Sequence, residues 1–287
     1  MTTAQLKTPI WQFKAYENWV KTILISELVE TGNSLAEFYC GQGLDTGKWE
    51  RSKIRKYYGF DHAKESLVES ETKWLQRKQP YEAEFIEIDL TTDDINEKLR
   101  EKETPQQTIE FDSVACFEGL QHSFLNQDTA NQFIENASNR LKVGGYFFGI
   151  MPDSSSIWYK SQKEAATGSG LPTVKSALFN IDFDSDIFDF FGCKYHLSLK
   201  DGNTYTENLI HFPSFINLCK NHNLILVEAT NLAEFYEENK KNYESKLQQA
   251  RVLVGKGKIE PAQMDLISLY TTFIFVKEII EPKLIKP

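Results

Sequence analysis

The 287 residues hold no uninterrupted apolar run near the roughly 20 that a membrane-crossing helix needs, and no basic-then-apolar leader opens the chain. A soluble protein in a reducing compartment is the expectation. Cysteine is scarce: Cys40, Cys116, Cys193 and Cys219 are scattered with no C-x-x-C pair, which excludes a zinc ribbon or a disulfide framework and predicts buried thiols. Positive charge is in deficit too. With 32 Lys and Arg against 41 Asp and Glu, the formal net charge of -9 argues against a face that grips long nucleic acid through many phosphates. No internal repeat or low-complexity tract is visible. Apolar residues, at 41%, and aromatic residues, at 13%, are plentiful enough for one elaborated domain with a packed core.

The most informative stretch runs from Glu37 to Trp49. An apolar run ending in Phe38-Tyr39 breaks into Gly41, Gly43 and Gly47, the pattern of a strand entering a tight turn. Sixteen residues past Asp45 a second apolar run, Tyr57-Tyr-Gly-Phe, ends on Asp61. An acid at the tip of a strand beside a glycine turn can accept both hydroxyl protons of a ribose. The glycines are spaced by two and then four, out of register with G-x-G-x-x-G, which favours a nucleoside without phosphates over a pyrophosphate cradle.

Hydrophobic periodicity predicts a helix over 11–31, with Trp19, Ile23, Leu24 and Leu28 as the packed stripe, and another over 61–77. Residues 84–89 alternate like a strand, 91–102 look helical, 108–117 form a fourth strand and 128–141 a helix. A turn at 142–145 leads into a fifth strand at 146–150. Strands alternating with helices imply a mostly parallel sheet with helices on both faces and ligands at the carboxyl ends of the strands. Residues 152–170 are polar and read as a mobile loop. The segment 176–199 suits antiparallel strands inserted over the site. Helices are expected at 212–221 and 232–251, strands at 224–228 and 268–277, and a frayed tail at 281–287.

Several stretches together resemble the S-adenosylmethionine-dependent methyltransferases, and more narrowly the messenger RNA cap guanine-N7 methyltransferases. They are Tyr16-Glu-Asn-Trp-Val-Lys21, Cys40-Gly-Gln-Gly-Leu-Asp45-Thr-Gly-Lys48-Trp, Leu141-Lys-Val-Gly-Gly-Tyr-Phe, Met151-Pro152-Asp-Ser, Phe190-Phe-Gly-Cys-Lys-Tyr195, Phe212-Pro and Ser268-Leu-Tyr270-Thr-Thr. The plant-type second cap methyltransferase, with Y-C-G-x-G-x-D-T-x-K-W, is most similar. The resemblance covers nearly the whole chain. It implies an α/β, Rossmann-like class I methyltransferase with a mostly parallel seven-stranded sheet and an inserted antiparallel β region over the acceptor site. A single domain would divide into an N-terminal helical region (1–31), a donor-binding core (32–151), a lid or acceptor region (152–211) and a C-terminal core (212–280).

The implied methyl donor is S-adenosylmethionine, with Lys21, Cys40, Gly41, Asp61, Asp89 and Phe117 around it. The implied acceptor is the guanine and triphosphate bridge of 5′ capped RNA, met by Asp45, Lys48, Gln121, His122, Pro152, Glu207 and Tyr270. Guanine N7 already carries a free lone pair, so neither general base nor metal is called for, and placement supplies the catalysis. The basic run 48–56 reads either as a solvated helix end or as a patch for the triphosphate. Where the family carries F-x-x-H-Y-S-F, this chain has Glu118-Gly-Leu-Gln121-His122-Ser-Phe124, and Gln42 replaces a phosphate-facing lysine. Two alternatives stay open on the residues alone: a methyltransferase for another acceptor, and a non-catalytic partner of a capping enzyme. The family also implies nuclear location, with cytoplasm as the alternative, a monomer, no membrane, and an RNA-capping protein as a conceivable partner.

Overall fold

The computed structural model describes residues 8–104, 108–165, 170–253 and 257–279. A first helix, α1 (Trp11–Leu28), leads into a run of strands and helices: β1 (Ser34–Phe38), α2 (Thr46–Arg51), β2 (Lys56–Asp61), α3 (Lys64–Gln76), β3 (Glu82–Glu87), α4 (Ile95–Arg100) and β4 (Phe111–Cys116). Then come α5 (Leu120–Ser123), α6 (Gln127–Asn139) and β5 (Leu141–Pro152). After α7 (Ser154–Ala165), four short strands follow, β6 (Thr173–Lys175), β7 (Phe179–Phe183), β8 (Lys194–Leu199) and β9 (Thr204–Asn208). The chain closes with α8 (Phe212–Asn221), β10 (Leu224–Glu228), α9 (Leu232–Asn239), α10 (Glu244–Gln249), α11 (Pro261–Ile267) and β11 (Tyr270–Lys277).

Seven strands form one sheet in the order β10-β11-β5-β4-β1-β2-β3, in which β11 runs antiparallel to both neighbours and the other pairs are parallel. Period-two alternation divides each central strand between two cores. Leu35 of β1 packs in the cluster that contains Tyr16, Trp19 and Val20 of α1, whereas Ala36 and Phe38 pack in the cluster that contains Phe133 of α6. Both layers are dense in fully buried rings, each worth about 1.5 to 3 kcal/mol on burial. Phe38 meets Phe60 and Phe133 edge-on at 5.6 and 5.7 Å. Register aligns the carboxyl ends: Phe38 lies opposite Phe60 on one side and Cys116 on the other. The residues that follow, Tyr39 to Gly41, Asp61 and Phe117, therefore emerge along one edge.

The inserted region is a separate antiparallel sheet, β6-β7-β8-β9, as expected. Its β8–β9 register sets Tyr195 directly opposite Glu207. On the main sheet, β11 pairs with β5 so that Tyr270 faces Pro152. Two chain segments far apart in sequence thus meet at the mouth.

Some expectations need correction. Residues 154–165 form helix α7 rather than a loop: Asp153 accepts from Ser156 N at 2.9 Å as a cap, and Ile157 and Ser161, four apart, are buried on one face. The serines read as loop punctuation are a helix start. Of the other loop residues, 166–169 lie outside the described part, as does the tail 280–287. The segment 232–251 is two helices, α9 and α10, and the break lets the Tyr243 carbonyl accept from Trp19 Nε1 at 3.4 Å. Residues 142–145 lie within β5 as a register shift rather than before it. Helix α1 buries more than one stripe, because α10 and α11 cover sides that the sequence pattern leaves open. All four cysteines are buried and free.

Candidate functional site

The turn after β1 is built on left-handed backbone: φ is +53° at Tyr39, +52° at Gly41 and +68° at Gly43. At Gly41 nothing lies within 4 Å of where a Cβ would be, so the backbone faces open space that a ligand can approach. Gly41 N donates to Asp61 Oδ2 at 2.9 Å, and Ala63 N donates to Asp61 Oδ1 at 2.9 Å. Asp61 is only 5% exposed, yet each oxygen has one backbone partner and keeps further acceptor capacity. That geometry suits the two hydroxyls of a ribose. Asp89, expected beside it, lies exposed in the loop after β3, where its Oδ1 accepts from Thr91 N and Thr91 Oγ1 at 2.9 and 2.6 Å. It closes a turn and does not line the cleft.

Behind the turn sits a buried charge cluster. Lys21 Nζ lies 3.2 Å from Asp45 Oδ2, and Lys48 Nζ holds the other Asp45 oxygen while donating to Asn18 Oδ1 at 2.7 Å. Burial alone would raise the Asp45 carboxyl; the two ammonium groups outweigh it and hold the group below its usual range. For Lys21 burial works downward, but Asp45, Glu17 and Glu118 together lift it above its usual value. Its ammonium also lies 5.1 Å from the centroid of the Phe117 ring. Glu37 is buried beneath, its Oε2 accepting from Trp49 Nε1 at 2.9 Å and from Tyr57 Oη at 2.7 Å. Burial, then Asp45, pushes it up to about 7 against the opposing pull of those donors.

A cleft is formed where the four-stranded sheet meets the main sheet. Its volume is about 260 Å³, and it is lined by Phe13, Gly41, Asp61, Phe117, Gln121, His122, Pro152, Tyr205, Glu207 and Tyr270 among others. Glu207 is 7% exposed; Gln121 Nε2 donates to its Oε1 at 3.1 Å and the Tyr195 hydroxyl to its Oε2. Both donors are neutral, so the carboxylate is oriented without being neutralised by them. Phe13 and Tyr270 meet at 5.2 Å with a 33° tilt beside it. Gln121 Oε1 and Asn208 Oδ1 are buried without a hydrogen-bond partner among the described residues. His122 is exposed at the rim.

The structure thus brings Gly41, Asp61, Phe117, Gln121, His122, Pro152, Glu207 and Tyr270 to one cleft, and Lys21, Cys40 and Asp45 to an adjoining recess of about 290 Å³ that shares Gly41 and Phe117. Asp45 and Lys48, expected on the acceptor side, lie instead in the cluster behind the turn. Lys48 is 8% exposed and committed to two partners, which removes it from any phosphate patch. The rest of the basic run precedes or begins β2, whose far end carries Asp61; the five steps from Lys56 to Asp61, at about 3.3 Å each, put that run some 17 Å from the cleft. Its charge is on the wrong edge of the sheet.

Sequence reasoning passed over Phe13, Glu37, Tyr39, Tyr195 and Tyr205. Tyr195 had a signal, since it closes the Phe190-Phe-Gly-Cys-Lys-Tyr stretch and alternates in phase with Leu197. Phe13 had none, because what places it beside Tyr270 is the docking of α1 against α11 and β5.

The chain is also similar to known proteins. A family model described as the mRNA (guanine-N(7))-methyltransferase domain matches residues 2–278. Over 275 residues the chain is 34% identical to mRNA cap guanine-N(7) methyltransferase 2 of Oryza sativa subsp. japonica, spanning 92% of this chain and 79% of that one. The protein of the same description from Arabidopsis thaliana is 33% identical over 286 residues, spanning 94% and 79%. Among solved structures, the CcbJ methyltransferase from Streptomyces caelestis superposes with a TM-score of 0.55 at 13% identity, covering 92% of this chain and 90% of that one, a likeness of fold.

Proposed function

This chain belongs to the mRNA (guanine-N(7))-methyltransferase family, and from that premise we propose how its own residues carry the reaction. It uses S-adenosylmethionine as methyl donor and methylates N7 of the guanine that caps messenger RNA. The donor supplies a methyl group on a positively charged sulfur. The N7 lone pair forms the new C–N bond while the C–S electrons return to sulfur, leaving a neutral thioether and a cationic purine. No proton moves in that step.

The protein therefore has to place rather than to activate, and alignment of two bound reactants can supply about 7 to 11 kcal/mol of the barrier. Asp61 takes the ribose hydroxyls of the donor, with Gly41 leaving room for the backbone to approach. Lys21, beside the open recess, attracts the donor's carboxylate. On the acceptor side Glu207 accepts from N1–H and the exocyclic amine of guanine, a pairing that adenine cannot offer. Tyr270 and Phe13 bound the plane of the ring, and Gln121 and Tyr195 hold the carboxylate in register.

One observation carries this reading: Glu207 is a nearly buried carboxylate held by two neutral donors in the same cleft as Asp61. Leaving such a group without a ligand donor penalises the wrong base. The test is methyl transfer from labelled S-adenosylmethionine to GpppA-capped RNA. Glu207→Gln presents an amide N–H to a donor edge, and turnover per unit KM should fall about 10-fold to 200-fold, one lost bidentate base contact. Donor affinity should stay as in the wild type. Full activity in Glu207→Gln would remove this residue as the reader of guanine. For a capped-RNA substrate the nucleus is the expected place of action.

A further inference from the structure

The turn that holds the donor contains a residue its backbone disfavours. Tyr39 sits at φ +53°, in the left-handed region where a Cβ crowds the chain, although glycines at 41 and 43 take the same region beside it. Its ring is fixed from three sides. It stacks on Phe133 at 5.8 Å and 7°, meets His62 edge-on at 6.4 Å, and presses on Gly119, where an added Cβ would lie 2.5 Å from its ring. Gly119 itself has φ +90°.

Packing accounts for a ring in that place, and the half-buried side chain leaves its hydroxyl room for a partner outside the protein. Among the described residues the Tyr39 hydroxyl makes no hydrogen bond, although the side chain lines both the cleft and the adjoining recess. Burial, then Cys116, Asp89 and Asp61, hold the phenol well above its usual pKa, so it remains an intact O–H. Strained backbone at a ligand turn, a ring clamped by a glycine, and a donor without a protein acceptor all point toward a ligand.

We propose that Tyr39 is a donor-site residue whose phenol hydrogen-bonds to the adenosine half of S-adenosylmethionine, on the side of the site where Asp61 takes the ribose. The left-handed turn is what aims the O–H there. This assignment depends on the donor site being the one built around Asp61, and not on the guanine pocket.

The experiment is titration calorimetry of the wild type and Tyr39→Phe with S-adenosylhomocysteine and with 5′-methylthioadenosine, which keeps the nucleoside and lacks the amino acid. Tyr39→Phe retains the ring and every ring contact, so the melting temperature without ligand should match the wild type. Affinity for both ligands should fall about 3-fold to 10-fold, one lost neutral hydrogen bond. Equal affinities in the two proteins would overturn the proposal. So would a loss confined to S-adenosylhomocysteine, which would move the contact to the amino-acid end, or a lowered melting temperature with unchanged binding, which would make the hydroxyl structural. Failure of the wild type to bind either ligand would instead take down the donor reading itself.

Discussion

The two halves of the site hold their carboxylates by opposite means. On the proposed donor side Asp45 is clamped between two buried lysines, Glu37 is buried beneath them, and Asp61 is fixed by backbone N–H groups. On the proposed acceptor side Glu207 has an amide and a phenol, and two amide oxygens beside it have no partner among the described residues. In the reading proposed above, the donor half is preorganised by charge and main chain. The acceptor half leaves acceptors open for a ligand that brings N–H groups. A cationic donor and a guanine edge call for these two different solutions.

The largest expected effect is at the main-chain anchor. Asp61→Ala removes the acceptor for Gly41 N and Ala63 N as well as for the ribose, and donor binding should weaken by about 2 to 4 kcal/mol, the range for stranded charge-assisted bonds. Calorimetry with S-adenosylhomocysteine measures it. If affinity is unchanged, the donor half is not organised around this residue and the contrast fails.

A smaller effect tests the buried charge. Burial, then Asp45, raises Glu37 from 4.5 to about 7 in the folded state, so between those values the folded protein binds more protons than the unfolded chain. Stability should then fall as pH rises through that window: the penalty is absent below about pH 4.5 and complete above about pH 7. In urea titrations the fall should be about 1 to 3 kcal/mol, and Glu37→Gln should flatten it. A pH-dependent fall of the same size in Glu37→Gln would assign it to another group.

The smallest effect is an expected absence. Replacing Arg51, Arg55 and Lys56 together by Gln should change cap methylation and its salt dependence by less than about 2-fold, because these residues end α2 or lead into the amino edge of β2 while the cleft is at the carboxyl edge. A shallower salt slope in the triple variant would show that RNA wraps around the sheet edge, and the acceptor half would extend far beyond the lid.

Much of this was legible in the sequence wherever function depends on local chemistry. The glycine turn followed by Asp61 announces itself, since left-handed backbone and a strand-end acid are properties of short segments. The strand and helix order followed from periodicity of two and 3.6. The buried cysteines followed from their scatter. Local signals misled where capping and turn chemistry look alike, as at Ser154-Ser-Ser, and left two readings open where charge was counted without direction, as in the run 48–56.

What the tertiary structure alone decided is which side chains share a space. Lys21, Asp45 and Lys48 become one cluster because α1 packs beside the turn after β1. Tyr195 and Glu207 become partners through hairpin register. Phe13 and Tyr270, from opposite ends of the chain, meet because β11 inserts between β5 and β10 and sets Tyr270 against Pro152. Sequence by itself determined backbone preference and burial within a few residues, as at the left-handed turn and the alternating strands. Contacts across some 250 residues depend on how layers dock, and no period within the chain encodes that.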